Sequence, residues 1–413
     1  MATESLILVE SNTTGSGRLF CAAARRMGLR PVLLSRAPGR YPYVEWDAVD
    51  HVVVDTGDFD AVRTACVRVG DVVGVTSSSE YFIARAAAVA RSLGLPHPVP
   101  EAVATAQNKN ALRTWLREAG LPVPDFGTAQ TANAAVEISE RIGFPVVVKP
   151  VVGSGSVGVR LCVNGVDVKT AVAVVLDAEL AAPNAPRPTT VLVEGYLDGP
   201  EFSVETFDDR VVGVTAKHLG PAPYFVETGH DFPASLTASD EAAIGDVAVH
   251  ALRVLGLGWG AAHTEVRLTS AGPRIVEINP RLAGGMIPQV VAEATGVDLI
   301  FCVVARAAQR AMAPQATRHR AASIRFVLAD RSGMLTAIHG VEQAQRCPGV
   351  VGVGVVGAVG EHLEIRRSFR DRIAYVITVA DDGESAATAA DAGARMIAAE
   401  IVPDPADPGA VRR

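Results

Sequence analysis

The chain has 413 residues, of which 49% are hydrophobic and 20% charged, and a formal charge of −7. That length allows two or three domains with large cores. The acidic balance excludes a nucleic-acid footprint or a polybasic membrane face, and no apolar run reaches the roughly 18 residues that span a bilayer.

Leu6–Val9 reads as the first strand, too early for a signal peptide to precede it. A polar turn, Ser11–Gly17, and a helix to about Gly28 follow, and then strands at Pro31–Leu34, His51–Val54 and Val72–Val75. This βαβ series predicts a parallel sheet with helices on its faces. The turn lacks G-x-G-x-x-G, and Ser35-Arg36 rather than an acidic residue closes the second strand, which argues against a dinucleotide site. Cys21, Cys66, Cys162, Cys302 and Cys347 form no C-x-x-C pair and read as reduced thiols of a cytoplasmic protein.

Gly94–Pro100 holds three prolines and reads as a linker. A helix is expected from about Val103 to Ala119, ended by Gly120 and Pro122. Val146–Lys149 and Val159–Val163 read as strands around a glycine-serine loop, and a helix near Val166–Leu180 runs into a proline-rich stretch. Val191–Glu194, Glu201–Phe207, Arg210–Lys217, Ala261–Leu268 and Arg274–Ile278 read as one antiparallel sheet. From about Ala321 a further unit mixes strands with a final Ala-rich helix.

Three motifs carry chemistry. In Lys149-Pro150-Val151-Val152-Gly153-Ser154-Gly155-Ser156-Val157-Gly158, glycines let backbone N–H groups approach phosphate oxygens, and the lysine adds a compact charge. In Glu194-Gly195-Tyr196-Leu197, a carboxylate and backbone groups at a strand exit suit the polar edge of a purine. Glu277 and Asn279, two apart, share a strand face, and with Glu265 on a neighbouring strand they form an oxygen-donor set for Mg²⁺ or Mn²⁺. Arg281, two residues on, suits a bidentate grip on a carboxylate or phosphoryl group.

The order of these parts, with Lys109 on a helix upstream, resembles the ATP-grasp enzymes over essentially the whole chain. The resemblance implies an α/β and α+β architecture. It begins with a Rossmann-like pre-ATP-grasp domain at 1–100 and a small lobe at 101–195. A large lobe at 196–320 and a C-terminal α+β lid at 321–413 complete it. It also implies that Lys109, Lys149 and the loop residues Gly153, Ser154, Gly155, Ser156 and Val157 hold the phosphates of ATP. Glu194, Tyr196 and Leu197 would meet adenine, Glu201 the ribose, and Glu265, Glu277 and Asn279 the metal.

A further stretch, Tyr224-Phe225-Val226-Glu227-Thr228-Gly229-His230-Asp231-Phe232-Pro233, resembles the substrate loop of bacterial L-amino-acid ligases. On that resemblance Glu227 and His230 face the second amino acid, and Arg281 holds the carboxylate and then the acyl phosphate. Gly284, Gly285 and Met286 would bound the acceptor pocket. The simpler reading of 224–233 is a polar surface loop with Asp231 as a cap. In Ser77-Ser78-Ser79-Glu80-Tyr81 helix capping by serine is the first reading, and the alternative has Ser78 and Glu80 reach the amino-acid pocket. The expected activity is amide-bond formation between two amino-acid-like substrates through an acyl phosphate, by a homodimer that binds neither nucleic acid nor membrane. The rival is an ATP-grasp carboxylase or a ligase with another carboxylate or nucleophile. His263-Thr264-Glu265-Val266 lacks the glutamine of the H-x-Q-V-E pattern that a biotin-carboxylase-like enzyme would carry.

Overall fold

The computed structural model describes residues 4–12, 16–176, 188–310 and 312–404. Four short strands, β1 (Ser5–Val9), β2 (Arg30–Ser35), β3 (Asp50–Val53) and β4 (Val72–Thr76), form a parallel sheet in the order β3-β2-β1-β4. Alternation along β1 explains its two cores. Leu6 and Leu8 pack with Phe20 of the helix Ser16–Arg26 and with Val304 of the distant helix Leu299–Ala307. Ile7 and Val9 pack with Val62 and Val89 of the helices Phe59–Val69 and Ile83–Ser92. Gly74 is required where it stands, since a Cβ there would lie 2.4 Å from the Ala307 carbonyl oxygen.

The expected helix over 103–119 is two helices, Pro100–Gln107 and Lys109–Glu118. Asn108 breaks it: its side chain accepts from the Ala111 N–H at 3.0 Å and caps the second helix. β5 (Phe126–Ala129), β6 (Val146–Pro150), β7 (Arg160–Cys162) and β8 (Val191–Gly195) form an antiparallel sheet in the order β5-β8-β6-β7. Val146, Val148, Val191 and Val193 pack with helices Ala132–Ile142 and Gly165–Leu176. Val147, Lys149 and Glu194 therefore face the other way. The strand at Val191 pairs here, with β5 and β6, and not with the sheet that begins at Glu201. The end of the helix anticipated to Leu180, the proline-rich stretch after it and part of the Ser11–Gly17 turn lie outside the described residues.

The large sheet has eight antiparallel strands: β9 (Glu201–Phe207), β10 (Arg210–Leu219), β11 (Glu227–Phe232), β12 (Ala261–Thr269), β13 (Gly272–Asn279), β14 (Ala321–Leu328), β16 (Val350–Val355) and β18 (Arg372–Ala380). Their order is β13-β12-β9-β10-β11-β14-β18-β16, so the sheet runs unbroken from the Glu277 strand into the C-terminal unit. β15 (Gly333–His339), β17 (His362–Leu363) and β19 (Ala398–Pro403) form a separate small sheet. Phe202, Val204 and Val266 are buried against Ile244 and Ala248 of the helix Ala238–Val254. Residues 227–232 form a strand and not a surface loop. Asp231 caps nothing, because its carboxylate takes His218 at 2.6 Å and Arg325 at 2.7 Å. Among the described residues no single helix is long and apolar enough to cross a membrane.

Candidate active site

Burying Phe202, Val204 and Val266 on one face of the large sheet sends the intervening polar residues to the other. Register aligns them: Glu265 stands opposite Glu277, and His263 opposite Asn279. A second row crosses four strands as Arg267, Glu201, Lys217 and His230. The Lys149 and Glu194 face of the small sheet closes over this floor. The cleft between them is lined by Lys109, the loop residues Gly153, Ser154, Gly155, Ser156 and Val157, and Tyr196, Leu197, Glu201, Glu227, Glu265 and Glu277.

The cleft's charges are paired. The Lys109 Nζ lies 3.0 Å from Glu277 and donates to the Gly153 carbonyl, while its backbone N–H donates to Val151 O at 2.8 Å. That ties the helix Lys109–Glu118 to the glycine loop. Arg113, one turn on and 1% exposed, donates to Glu194 at 2.9 Å and to the carbonyls of Ile275 and Val276 at 3.1 and 2.8 Å. Lys149 donates to the other Glu194 oxygen. Burial disfavours the Glu194 carboxylate, yet Arg113 and Lys149 hold it down at about 2. The Lys149 ammonium is lowered by its own burial, against the pull of Glu194.

Lys217 is the hub. Its ammonium lies 2.7 Å from Glu265 and 3.0 Å from both Glu201 and Glu227. Burial opposes its charge, but the three carboxylates raise its pKa well above the ordinary lysine value. His263 bridges Glu205 at 2.8 Å and Glu265 at 3.3 Å. Burial alone would lower it, and these two carboxylates lift it to about 9, so it is an imidazolium. Arg267 binds Glu201 at 3.0 Å and the Leu197 carbonyl at 2.8 Å, under the stacked rings of Tyr196 and Phe225.

Beyond Lys217 the character changes. His230 is fully buried, edge-on to Phe326, and among the described residues neither ring nitrogen has a hydrogen-bond partner. Burial pushes it down to about 3, so it is neutral. Its Nε2 lies 3.7 Å from Glu227, whose other contacts are Lys217 and Arg372, the latter at 2.9 Å. Lys217, His230 and Arg372 hold the Glu227 carboxyl far below the usual range despite burial. Gly285, at φ +58°, brings its backbone against this corner: a Cβ there would lie 2.5 Å from His230 Nε2.

Arg281 lies outside that corner. Its guanidinium is held by Glu80 through Nε, at 3.1 Å, and through Nη2, and Ser154 of the glycine loop also bonds Glu80. Ser79 stands at the N-cap of the short 3-10 helix Glu80–Phe82, but its side chain makes no capping bond. Ser78 meets Ser11 and the Asn12 N–H, both at 3.3 Å. Met286, in the left-handed region, begins the helix Ile287–Thr295, and Gly284 has open space around it. Glu265, Glu277 and Asn279 supply two carboxylates and an amide from facing strands, a donor set that fits a hard divalent cation. Sequence reasoning passed over Lys217, Arg113, Arg267 and Arg372. The alternation Glu201-Phe202-Ser203-Val204-Glu205 signalled a polar face that a cation must neutralise, whereas nothing local marks Arg372.

A model of the ATP-grasp domain matches residues 142–289, and a model of L-amino acid ligase C-terminal domain 2 matches residues 325–402. The chain belongs to the ATP-grasp ligases. This ATP-grasp ligase is 38% identical over 388 residues to protein y4rH of Sinorhizobium fredii, covering 93% of the chain and 80% of that protein. It is 26% identical over 309 residues to carnosine synthase 1 of Mus musculus, covering 69% of the chain but only 37% of that longer enzyme. Among solved structures, the L-amino acid ligase from Bacillus licheniformis overlays with a TM-score of 0.80 at 23% identity, over 98% of this chain and 100% of that one. The ligase is accordingly a carbon–nitrogen ligase of the carboxylate–amine type.

Proposed function

We propose that this ligase joins two amino-acid-like substrates by an amide bond, spending ATP with Mg²⁺ or Mn²⁺ and releasing ADP and phosphate. The observation that carries the reading is the position of Glu227, 3.0 Å from Lys217 of the nucleotide cleft and 3.7 Å from the buried His230. An amine-binding pair thereby adjoins a phosphate-binding cleft.

In the first step a substrate carboxylate oxygen attacks the γ-phosphorus and the bond to ADP breaks, giving an acyl phosphate. In the second, the amine attacks the acyl carbon and phosphate leaves. Lys109, Lys149 and the N–H groups of residues 153–157 neutralise the phosphates. Glu194, Tyr196 and Leu197 border adenine, and Glu201 the ribose. A divalent cation held by Glu265, Glu277 and Asn279 would offset charge on the transferring phosphoryl group. Arg281 exchanges Glu80 for the carboxylate under activation. Glu227 takes the ammonium of the second amino acid, and the free nitrogen of His230 accepts its proton. Gly284, Gly285 and Met286 bound the side chain, and Ser78 with Glu80 completes the pocket from the first domain.

The functional units of this reading are residues 1–100, 101–195, 196–320 and 321–413, in a cytoplasmic homodimer acting on small molecules. The test is isotopic. With an amino-acid substrate labelled with ¹⁸O in its carboxylate, one ¹⁸O should appear in the released phosphate. Phosphate without label would overturn the acyl-phosphate route.

A further inference from the structure

Buried polar groups without partners are rare in folded proteins, because each forfeits about 1–3 kcal/mol of hydrogen bonding. Two of them meet at Glu227. Among the described residues neither ring nitrogen of His230 has a hydrogen-bond partner, and the buried Nε of Arg372 has no acceptor. The cleft's other arginines are better satisfied: Arg113 and Arg281 donate from Nε, Nη1 and Nη2, and Arg267 from Nε and Nη1.

Arg372 begins β18, in the C-terminal unit, yet its Nη2 reaches Glu227 across 145 positions of sequence at 2.9 Å. Phe326 lies under the guanidinium at 3.6 Å and fixes its plane. Its charge also bears on His230. Glu227 therefore stands between a lysine of the nucleotide cleft and an arginine with an unused donor, and the Gly285 backbone forms the adjoining wall.

An amino acid presents an ammonium and, two bonds away, a carboxylate. We infer that Arg372 binds the carboxylate of the amine-donating amino acid, while Glu227 holds its ammonium. This makes Arg372 a specificity-determining residue that selects free amino acids over amines lacking the acid group. A guanidinium suits this because its planar fork matches a carboxylate. The inference rests on the proposed ligase reading, and adds that the C-terminal unit contributes a substrate contact of its own.

The test compares L-alanine, L-leucine and L-phenylalanine with their carboxamides as amine donors, in the wild type and in Arg372→Ala and Arg372→Lys. Binding to the full-length enzyme loaded with Mg²⁺ and a non-hydrolysable ATP analogue is measured by calorimetry beside turnover, and folding is checked by thermal melts. The wild type should favour the acids. In Arg372→Ala the KM and Kd for the acids should rise roughly 10- to 100-fold, the worth of hydrogen bonds to a charged group. The carboxamides should change less than about threefold, and ATP binding not at all, while Arg372→Lys should recover part of the preference. Equal losses for acids and carboxamides, or an unchanged preference, would overturn the assignment. A wild type that binds the acids by way of Arg372 yet forms no amide would instead sink the ligase reading and leave the contact standing.

Discussion

Glu265 and Glu277 stand directly opposite each other on adjacent antiparallel strands, and each is held by a different lysine. Lys217 lies 2.7 Å from Glu265, and Lys109 lies 3.0 Å from Glu277. Two carboxylates side by side repel, and the two ammonium groups offset that repulsion while leaving oxygen donors of the kind hard cations take. Glu277→Gln keeps the shape and removes one charge. Phosphate release should fall by at least about 100-fold, the scale of losing a key electrostatic group, while the melting temperature stays near that of the wild type. Unimpaired turnover would contradict the metal assignment.

Lys217→Met removes the cation shared by Glu201, Glu227 and Glu265. Stranding buried carboxylates costs about 3–5 kcal/mol, which urea denaturation should read as a large fall in stability. A loss below about 1 kcal/mol, the range of an exposed pair, would mean that water reaches these groups.

The buried neutral His230 predicts an acid-side instability. Its pKa in the folded protein is about 3 against an ordinary 6.5, so between those values the unfolded chain binds a proton that the native state refuses. Stability from this group is therefore complete above about pH 6.5 and is lost as pH falls toward 3. Between pH 6.5 and 5 ordinary carboxylates are ionised in both states, so this histidine contributes a clear slope. In His230→Gln the fall in melting temperature across that window should be shallower. His230→Ala should leave ATP binding within about twofold and slow amide formation by roughly 100-fold or more, the usual scale of general base catalysis.

Gly285→Ala tests the corner by space alone. Its φ of +58° disfavours any Cβ, and that Cβ would sit 2.5 Å from His230 Nε2 and 3.5 Å from Glu227 Oε2. The left-handed strain is about 1–2 kcal/mol, so the fold should survive. Amide formation should fall well below single-turnover ADP formation in this variant, with nucleotide affinity unchanged. Equal losses in both steps would place Gly285 away from the amine.

The residues that line the cleft were legible in the sequence because its parts are local. A lysine, a glycine-serine loop, Glu194 and the two-residue spacing of Glu277 and Asn279 all announce themselves within a few positions. The N-terminal βαβ alternation was equally plain. What stayed hidden depends on contacts made across the fold. Val191–Gly195 has the same apolar composition as the strands after it, and only its pairing with β5 and β6 assigns it to the small sheet. Asn108 splits a helix whose apolar pattern runs through the break. Glu227–Phe232 looked like a loop because its polar residues fall on both faces of the strand, Glu227 and His230 beside Lys217 and Asp231 against His218 and Arg325. Arg372 meets Glu227 only because β14 and β18 extend the large sheet into the C-terminal unit.

The most direct test of the central claim is phosphate release from ATP and Mg²⁺ across an array of single and paired amino acids, with product masses read in parallel. The predicted result is release that requires two amino acids together, with a product at their summed mass less water. Release with bicarbonate, or with one acid and a nucleophile other than an amino acid, would keep the ATP-grasp chemistry and contradict the proposed substrates.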